Sequence, residues 1–276
     1  LQNILEMCIM GALERTRDRR CGRSRTIAEQ ADRRAPRYWE VDALRGVAII
    51  LMALFHLSWD LSFLGLAQIR MSANPWPWFS RIIATMFLSL VGISLTISYA
   101  RSTRGHTFGK YVRRGLKVFG FGLVITLATY LFIPREFVVF GILHMIGFSI
   151  VAAYLFLPRG RRYLSLALGI AFLGVGIYLN RQVTTSPWLI WIGIPQLGRP
   201  MADWYPVLPW FGLVLLGITA GHSLYPRGRR RFALPDWASA PVVRQLSFLG
   251  RHSLLIYLVH QPILLAILTG IALISS

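Results

Sequence analysis

The sequence predicts an all-α fold, a polytopic membrane bundle of about seven transmembrane helices with a cytoplasmic N-terminus and an external C-terminus. Three observations predict it. The 276 residues are 55% hydrophobic and only 15% charged, with a mean hydropathy of +0.53, whereas soluble domains carry about 25% charged residues. The apolar residues collect in runs approaching the roughly 20 helical residues that a bilayer core requires. Basic residues, finally, crowd into every second connection between those runs.

Residues 1–36 are set apart from the membrane domain, 37–276. Leu1 to Leu13 is apolar and is followed by nine arginines between Arg15 and Arg37. That order is the reverse of a secretory signal, and the segment reads as a basic, disordered cytoplasmic tail beside anionic lipid. Seven spans follow: Val41–Leu61, Phe79–Ala100, Leu116–Ile133, Phe137–Leu157, Tyr163–Leu179, Tyr205–Tyr225 and Leu254–Ile274. The run Pro187 to Pro195 is too short to cross and reads as a lid, a re-entrant piece or an interfacial loop.

The connections fix the expected orientation. The second-to-third holds Arg101, Arg104, Lys110, Arg113, Arg114 and Lys117; the fourth-to-fifth holds Arg159, Arg161 and Arg162. The sixth-to-seventh holds Arg227, Arg229, Arg230, Arg231, Arg244 and Arg251. Alternate connections hold only one or two basic residues each. By the positive-inside rule the basic connections and the N-terminus are cytoplasmic. The same distribution argues against nucleic-acid binding despite a net charge of +19, because no polar folded face lies between the apolar runs. Cys8 and Cys21 sit in the basic tail and make neither a disulfide framework nor a metal site.

Ionisable groups at membrane depth are costly and mark sites. In the first span Asp42, Arg45, His56 and Asp60 fall within roughly 60° of one another at 100° per residue. His56 lies about 16 Å along the axis from Arg45, and Asp60, one turn further, is expected to reach it. Asp42 and Arg45 also fit a plain interfacial pair, and Asp60 fits the outer headgroup region. His56 is too deep to reach water, though it could simply bond a neighbouring helix. His144, between Gly141 and Gly147, and His260, followed by Pro262, are the other histidines at depth.

The stretch Arg37-Tyr-Trp-Glu-Val-Asp42-Ala-Leu-Arg45-Gly-Val-Ala-Ile-Ile-Leu-Met-Ala-Leu-Phe-His56 resembles the opening of the heparan-alpha-glucosaminide N-acetyltransferase catalytic-domain family, bacterial branch. Phe140 to Gly147, Trp204 to Gly212 and Leu249 to Pro262 resemble it too, so the resemblance runs from residue 37 to about 265. The spacing Arg45-x10-His56 is similar to a signature of membrane acyltransferases that modify envelope sugars, in which the arginine and histidine are held essential. Tyr111 to Lys117 resembles the cytoplasmic basic motif that meets the acyl-CoA donor. Two departures stand out. Such transferases usually have ten or more helices, so a partner or a homo-oligomer would supply the rest. The lysosomal enzyme's active histidine falls where this chain has Met71 to Trp78, without histidine.

The resemblance implies an acyltransferase of the bacterial inner membrane, moving an acetyl or other acyl group from cytoplasmic acyl-CoA to an external sugar hydroxyl or amine. The acceptor is expected to be an envelope glycan or glycolipid. Arg113, Arg114 and Lys117 would bind the donor; His56, Asp60, Arg45, His144 and His260 would form the catalytic set, with no metal and no bound cofactor. His56 would act as general base oriented by Asp60, directly or through an acyl-histidine. Two other classes use the same residues. A proton-coupled transporter or flippase would run protons or substrate along Arg45, His56 and Asp60. A haem b redox protein would use the deep histidines as axial ligands.

Overall fold

The computed structural model describes residues 37–102, 107–198 and 203–275. The expected tail, with Cys8 and Cys21, lies outside the described residues, as do Arg104 and His106. The described residues form eight α-helices: α1 (Trp39–Phe63), α2 (Trp76–Ala100), α3 (Phe108–Phe132), α4 (Ile142–Ala152), α5 (Arg162–Leu179), α6 (Val207–Leu224), α7 (Pro241–Arg251) and α8 (Ser253–Ser275). There is no β-strand among the described residues. Prolines punctuate the sequence where helices start and stop. Pro77 and Pro241 occupy first turns, where a missing N–H costs nothing. Pro134 and Pro226 follow the ends of α3 and α6.

Six of the helices are long and apolar enough to cross a membrane; α4 and α7 are not. Helix α6 packs against α2 and α5, α3 pairs with α4, and α1 is flanked by α2, α7 and α8. Among the spans α8 is the least covered, so the α1–α8 seam lies at the edge of the bundle.

The expected fourth span is built differently from a plain helix. Only Ile142–Ala152 is α-helical, continued by a 3₁₀ turn, Ala153–Phe156. It runs antiparallel to α3, from Thr126 beside Val138 at one end to Phe108 and Tyr111 beside Tyr154 at the other. Its entry, Val138 to Gly141, is not helical, and backbone without water must find partners in the protein. Thr126 Oγ1 donates to the Val138 carbonyl at 2.7 Å, and the Val138 N–H donates to Thr129 Oγ1 at 3.0 Å. The Tyr205 N–H bonds the Phe140 carbonyl at 2.9 Å. The Gly141 and Ile142 N–H groups go to His144 Nδ1 at 3.2 Å and Asp203 Oδ2 at 3.0 Å.

The sixth-to-seventh connection, expected as a basic loop, contains the helix α7. Pro241–Arg251 lays Ser247 and Gly250 against α1 and leaves Val242, Arg244, Phe248 and Arg251 exposed. The contact is backbone to backbone. A Cβ at Gly46 would stand 2.0 Å from the Leu246 carbonyl oxygen, and one at Gly250 would stand 1.8 Å from that of Asp42. The run Pro187 to Pro195 is a turn-rich loop with one 3₁₀ turn, Pro187–Leu189, hydrogen-bonded to the start of α6 through the Val207 and Leu208 N–H groups. It contains no re-entrant helix.

The basic clusters gather at one end of the bundle. Arg101 Nε reaches the Gly228 carbonyl at 3.1 Å, and Arg230 pairs with Glu40 at 3.3 Å. Arg114 and Arg37 lie within electrostatic reach of Arg45.

Gly250→Ala should lower the melting temperature in detergent, since the added methyl must push α7 off α1; overpacking of this kind costs about 1–3 kcal/mol. Gly109→Ala, where nothing lies within 4 Å of the added atom, should be neutral or slightly stabilising. Equal melting of the two variants would show that the α1–α7 contact is not close.

Candidate functional site

The polar stripe of α1 is divided between two depths. At its start Arg45 Nη1 meets Asp42 Oδ1 at 3.0 Å, an i,i+3 pair. The other end of the guanidinium donates to Ser94 Oγ of α2 at 2.7 Å, and Nη1 also reaches the Gly250 carbonyl of α7 at 3.5 Å. One carboxylate thus serves Arg45 while Arg114 adds a second cation nearby. Arg113, Arg114 and Lys117 are all exposed, on α3 at the same end of the bundle.

About 16 Å further along α1, His56 meets His260 of α8. Their rings contact edge to face with centroids 4.7 Å apart. His56 Nδ1 lies 3.0 Å from the Met52 carbonyl oxygen, and His260 Nδ1 lies 2.7 Å from that of Tyr257. A carbonyl only accepts, so both histidines carry their proton on Nδ1 and present an Nε2 lone pair. Pro262 in the middle of α8 removes one N–H from the ladder just beyond His260.

Asp60 is fully buried, but the expected contact with His56 is replaced by another. Gln261 Nε2 donates to Asp60 Oδ1 at 2.6 Å. The reason is competition: side chains at i and i+4 are close enough to meet, but the His56 Nδ1 proton is taken by the Met52 carbonyl and Asp60 Oδ1 by Gln261. His56 drops onto the carbonyl one turn before it, and α8 supplies the partner for Asp60. Asp60 Oδ2, Gln261 Oε1 and His260 Nε2 are buried without a hydrogen-bond partner among the described residues. Three acceptors awaiting donors make the α1–α8 seam a place where hydroxyl or amine N–H groups would be bound.

His144 stands apart from this pair. Its Nδ1 accepts the Gly141 N–H, its Nε2 lies 3.4 Å from Thr126 Oγ1, and its ring packs on Phe119 and Phe140. Both nitrogens are therefore engaged at the entry to α4. No group of three or more metal-ligating side chains occurs among the described residues.

Two residues of the site escaped sequence reasoning. Gln261 lies in the His260-Gln-Pro motif but carries no charge to draw attention. Asp203 precedes the sixth span with no motif around it, and the signal that marks it is scarcity: only Glu136, Asp203 and Asp236 are acidic after Asp60. Burial pushes the Asp203 carboxyl up to about 6, against the opposing effect of the Ile142 N–H bond. Burial and then the charge of Asp203 push the Tyr205 phenol up as well. Tyr257, one helical turn before His260 on α8, feels both Asp203 and Tyr205, and its ring centroid is 5.5 Å from that of His260. Asp203 thus bonds the α4 entry and lies within electrostatic reach of Tyr257.

A model of one protein family, described as heparan-alpha-glucosaminide N-acetyltransferase, catalytic, matches residues 37–262. No curated protein and no solved structure matches the chain.

Because the folded state holds the Asp203 proton more tightly than the unfolded chain, its contribution is present at low pH and fades as pH rises through about 6. Thermal stability measured from pH 4 to 7 should therefore fall with pH through this group. Asp203→Asn, neutral throughout and still able to accept the Ile142 N–H, should flatten that part of the profile. An unchanged slope would assign the pH dependence elsewhere.

Proposed function

The chain belongs to the heparan-alpha-glucosaminide N-acetyltransferase catalytic family, and on that premise we propose that it moves an acetyl or other acyl group from cytoplasmic acyl-CoA to an envelope-sugar hydroxyl or amine on the opposite side of the bacterial inner membrane. Family membership makes it a multi-pass membrane transferase of the acetyltransferase type. Donor, acceptor and sidedness are our reading, and the observation that carries it is the histidine pair, whose hydrogen bonds among the described residues use Nδ1 and leave both Nε2 lone pairs open.

Donor enters from the basic end. Arg113, Arg114 and Lys117 neutralise its phosphates, with Arg45 next along the path. The thioester carbon reaches the level of His56, whose neutral imidazole with its proton on Nδ1 takes the acceptor's hydroxyl or amine proton on Nε2. The new C–O or C–N bond forms as the C–S bond breaks, and the departing thiolate receives that proton. His260, in ring contact with His56, stabilises or relays the charge, while Asp60 and Gln261 bind the acceptor's remaining donor groups. His144, Thr126 and Asp203 hold the α4 entry in shape. An acyl-histidine intermediate would use the same Nε2.

The basic end is placed in the cytoplasm by the positive-inside rule. Cys8 and Cys21 should then label only after the inner face is opened to reagent. A cysteine added after Ser276 should label from outside; labelling of Cys8 in intact cells would reverse the donor side.

His56→Ala should reduce transfer by about 10²–10⁴-fold, the usual worth of a general base, while acyl-CoA binding stays within a factor of about two. Neutralising Arg113, Arg114 and Lys117 together should instead weaken donor binding, more strongly at low salt. Transfer assayed on membranes with labelled acetyl-CoA separates the two. Near-normal transfer by a well-folded His56→Ala protein would make the histidine structural.

A further inference from the structure

Two turns at the basic end enclose a cavity that the proposed reaction leaves unused. Arg159, Pro226, Arg227 and Arg229 line an open space of about 750 Å³. A second space of about 440 Å³ adjoins it through Arg159 and is lined also by Arg162 and Tyr163. Pockets of roughly 300–1,000 Å³ hold small ligands. We propose that this cavity binds a phosphate-bearing anion through Arg159, Arg162, Arg227 and Arg229.

The arginines of this end differ in what holds them, and Arg162 itself donates to the Tyr163 hydroxyl and lies over that ring, 4.4 Å from its centroid. Arg230 is tied to Glu40, and Arg101 stacks on the Tyr38 ring, 4.4 Å from its centroid, while bonding Gly228. Tyr38 clamps the same turn, its hydroxyl donating to the Gly228 carbonyl at 2.8 Å and accepting the Arg230 N–H at 3.0 Å. The turn is therefore rigid, and it aims the intervening Arg227 and Arg229 at the cavity. Among the described residues no carboxylate pairs with Arg159, Arg162, Arg227 or Arg229. Arg227 is moreover held at φ +55°, the left-handed region that a side chain with a Cβ avoids. Strain at a lining residue, fixed by its surroundings, is characteristic of binding sites.

Across the cavity the arrangement is equally unbalanced. Arg159, Arg161 and Arg162 sit at the start of α5, where the helix dipole favours negative charge rather than positive. Thr219 Oγ1 bonds the Arg162 carbonyl at 3.4 Å and holds α5 to α6 there. His222, also in the last turns of α6, is 7% exposed, lies within electrostatic reach of Arg159 and Arg162, and has its Nε2 without a hydrogen-bond partner among the described residues. An anion with several oxygens relieves the mutual repulsion of the four arginines and satisfies the helix start at once.

Phosphate oxygens of this kind come from a nucleotide or from a lipid headgroup. Should they be the nucleotide end of the donor, the inference rests on the acyl-transfer reading; as a lipid site it does not. The test uses the full chain in phosphatidylcholine nanodiscs, with adenosine 3′,5′-bisphosphate as probe. Arg159→Gln with Arg227→Gln should weaken binding about tenfold or more and flatten its salt dependence. Arg135→Gln with Arg181→Gln, at the other end of the bundle, should not. In nanodiscs containing phosphatidylglycerol, native mass spectrometry counts retained anionic lipid in the same variants. Loss of retained lipid with nucleotide binding intact assigns the site to a headgroup. Unchanged nucleotide binding together with unchanged lipid retention overturns the proposal and leaves these arginines a topological role alone. Nucleotide bound through the cavity by a chain that transfers no acyl group would sink the reaction while leaving the site.

Discussion

A bilayer core contains no water to bond a free N–H or carbonyl, and this structure is organised around that constraint. Six helices satisfy their own backbone along their length. The entry to α4 does not, and this extended segment draws on Thr126 and Thr129 of α3, His144 of α4 itself and Asp203 from the segment before α6. Each of those side chains does for Val138 to Ile142 what water would do in a soluble protein. The same constraint fixes how helices meet. Lipid is as apolar as leucine, so helix association relies on close backbone approach and dispersion. Glycine permits it at Gly46 and Gly250 between α1 and α7, and at Gly115 and Gly147 between α3 and α4.

Polar groups admitted under such a constraint are few and arranged by depth. Near the basic end they are charged and paired, as with Arg45, Asp42 and Ser94. Towards the middle they become neutral and tautomerically fixed, as with His56 and His260, whose Nδ1 protons are donated to carbonyls of their own helices. A buried imidazole held this way can only accept at Nε2. The seam between α1 and α8 thus gathers three acceptors without a partner among the described residues, at the rim of the bundle.

Much of this was legible in the chain before any coordinates. The apolar runs located the six long helices, although α3 begins at Phe108 rather than Leu116 and the fourth run holds only the shorter α4, because hydrophobicity over about 20 residues is a property of the segment itself. The loop charges sorted the connections into two sets that the fold then brought to opposite ends. Periodicity put Asp42, Arg45, His56 and Asp60 on one face, since helical phase is also local. What failed was partnership. Asp60 was assigned to His56, its neighbour in sequence, and proved to be held by Gln261, 201 residues away. His144 shares its depth with the other histidines in the sequence, yet its Nδ1 caps its own helix by accepting the N–H of Gly141, three residues before it.

The sequence by itself therefore determined that this is a helical membrane bundle, where its spans lie, which end is basic and which face of α1 is polar, because each follows from short-range composition and phase. Its kinship with the acetyltransferase family was legible too, through motifs at Asp42 to His56 and Leu249 to Pro262, and the family match over residues 37–262 agrees. Only the tertiary structure decided that α7 lies across the start of α1, that His260 rather than Asp60 faces His56, and that Asp203 returns to the α4 entry. Those are contacts between segments far apart in the chain. They depend on how closely glycine lets two backbones approach and on which unsatisfied backbone group each polar side chain can reach, and no window of sequence contains both partners.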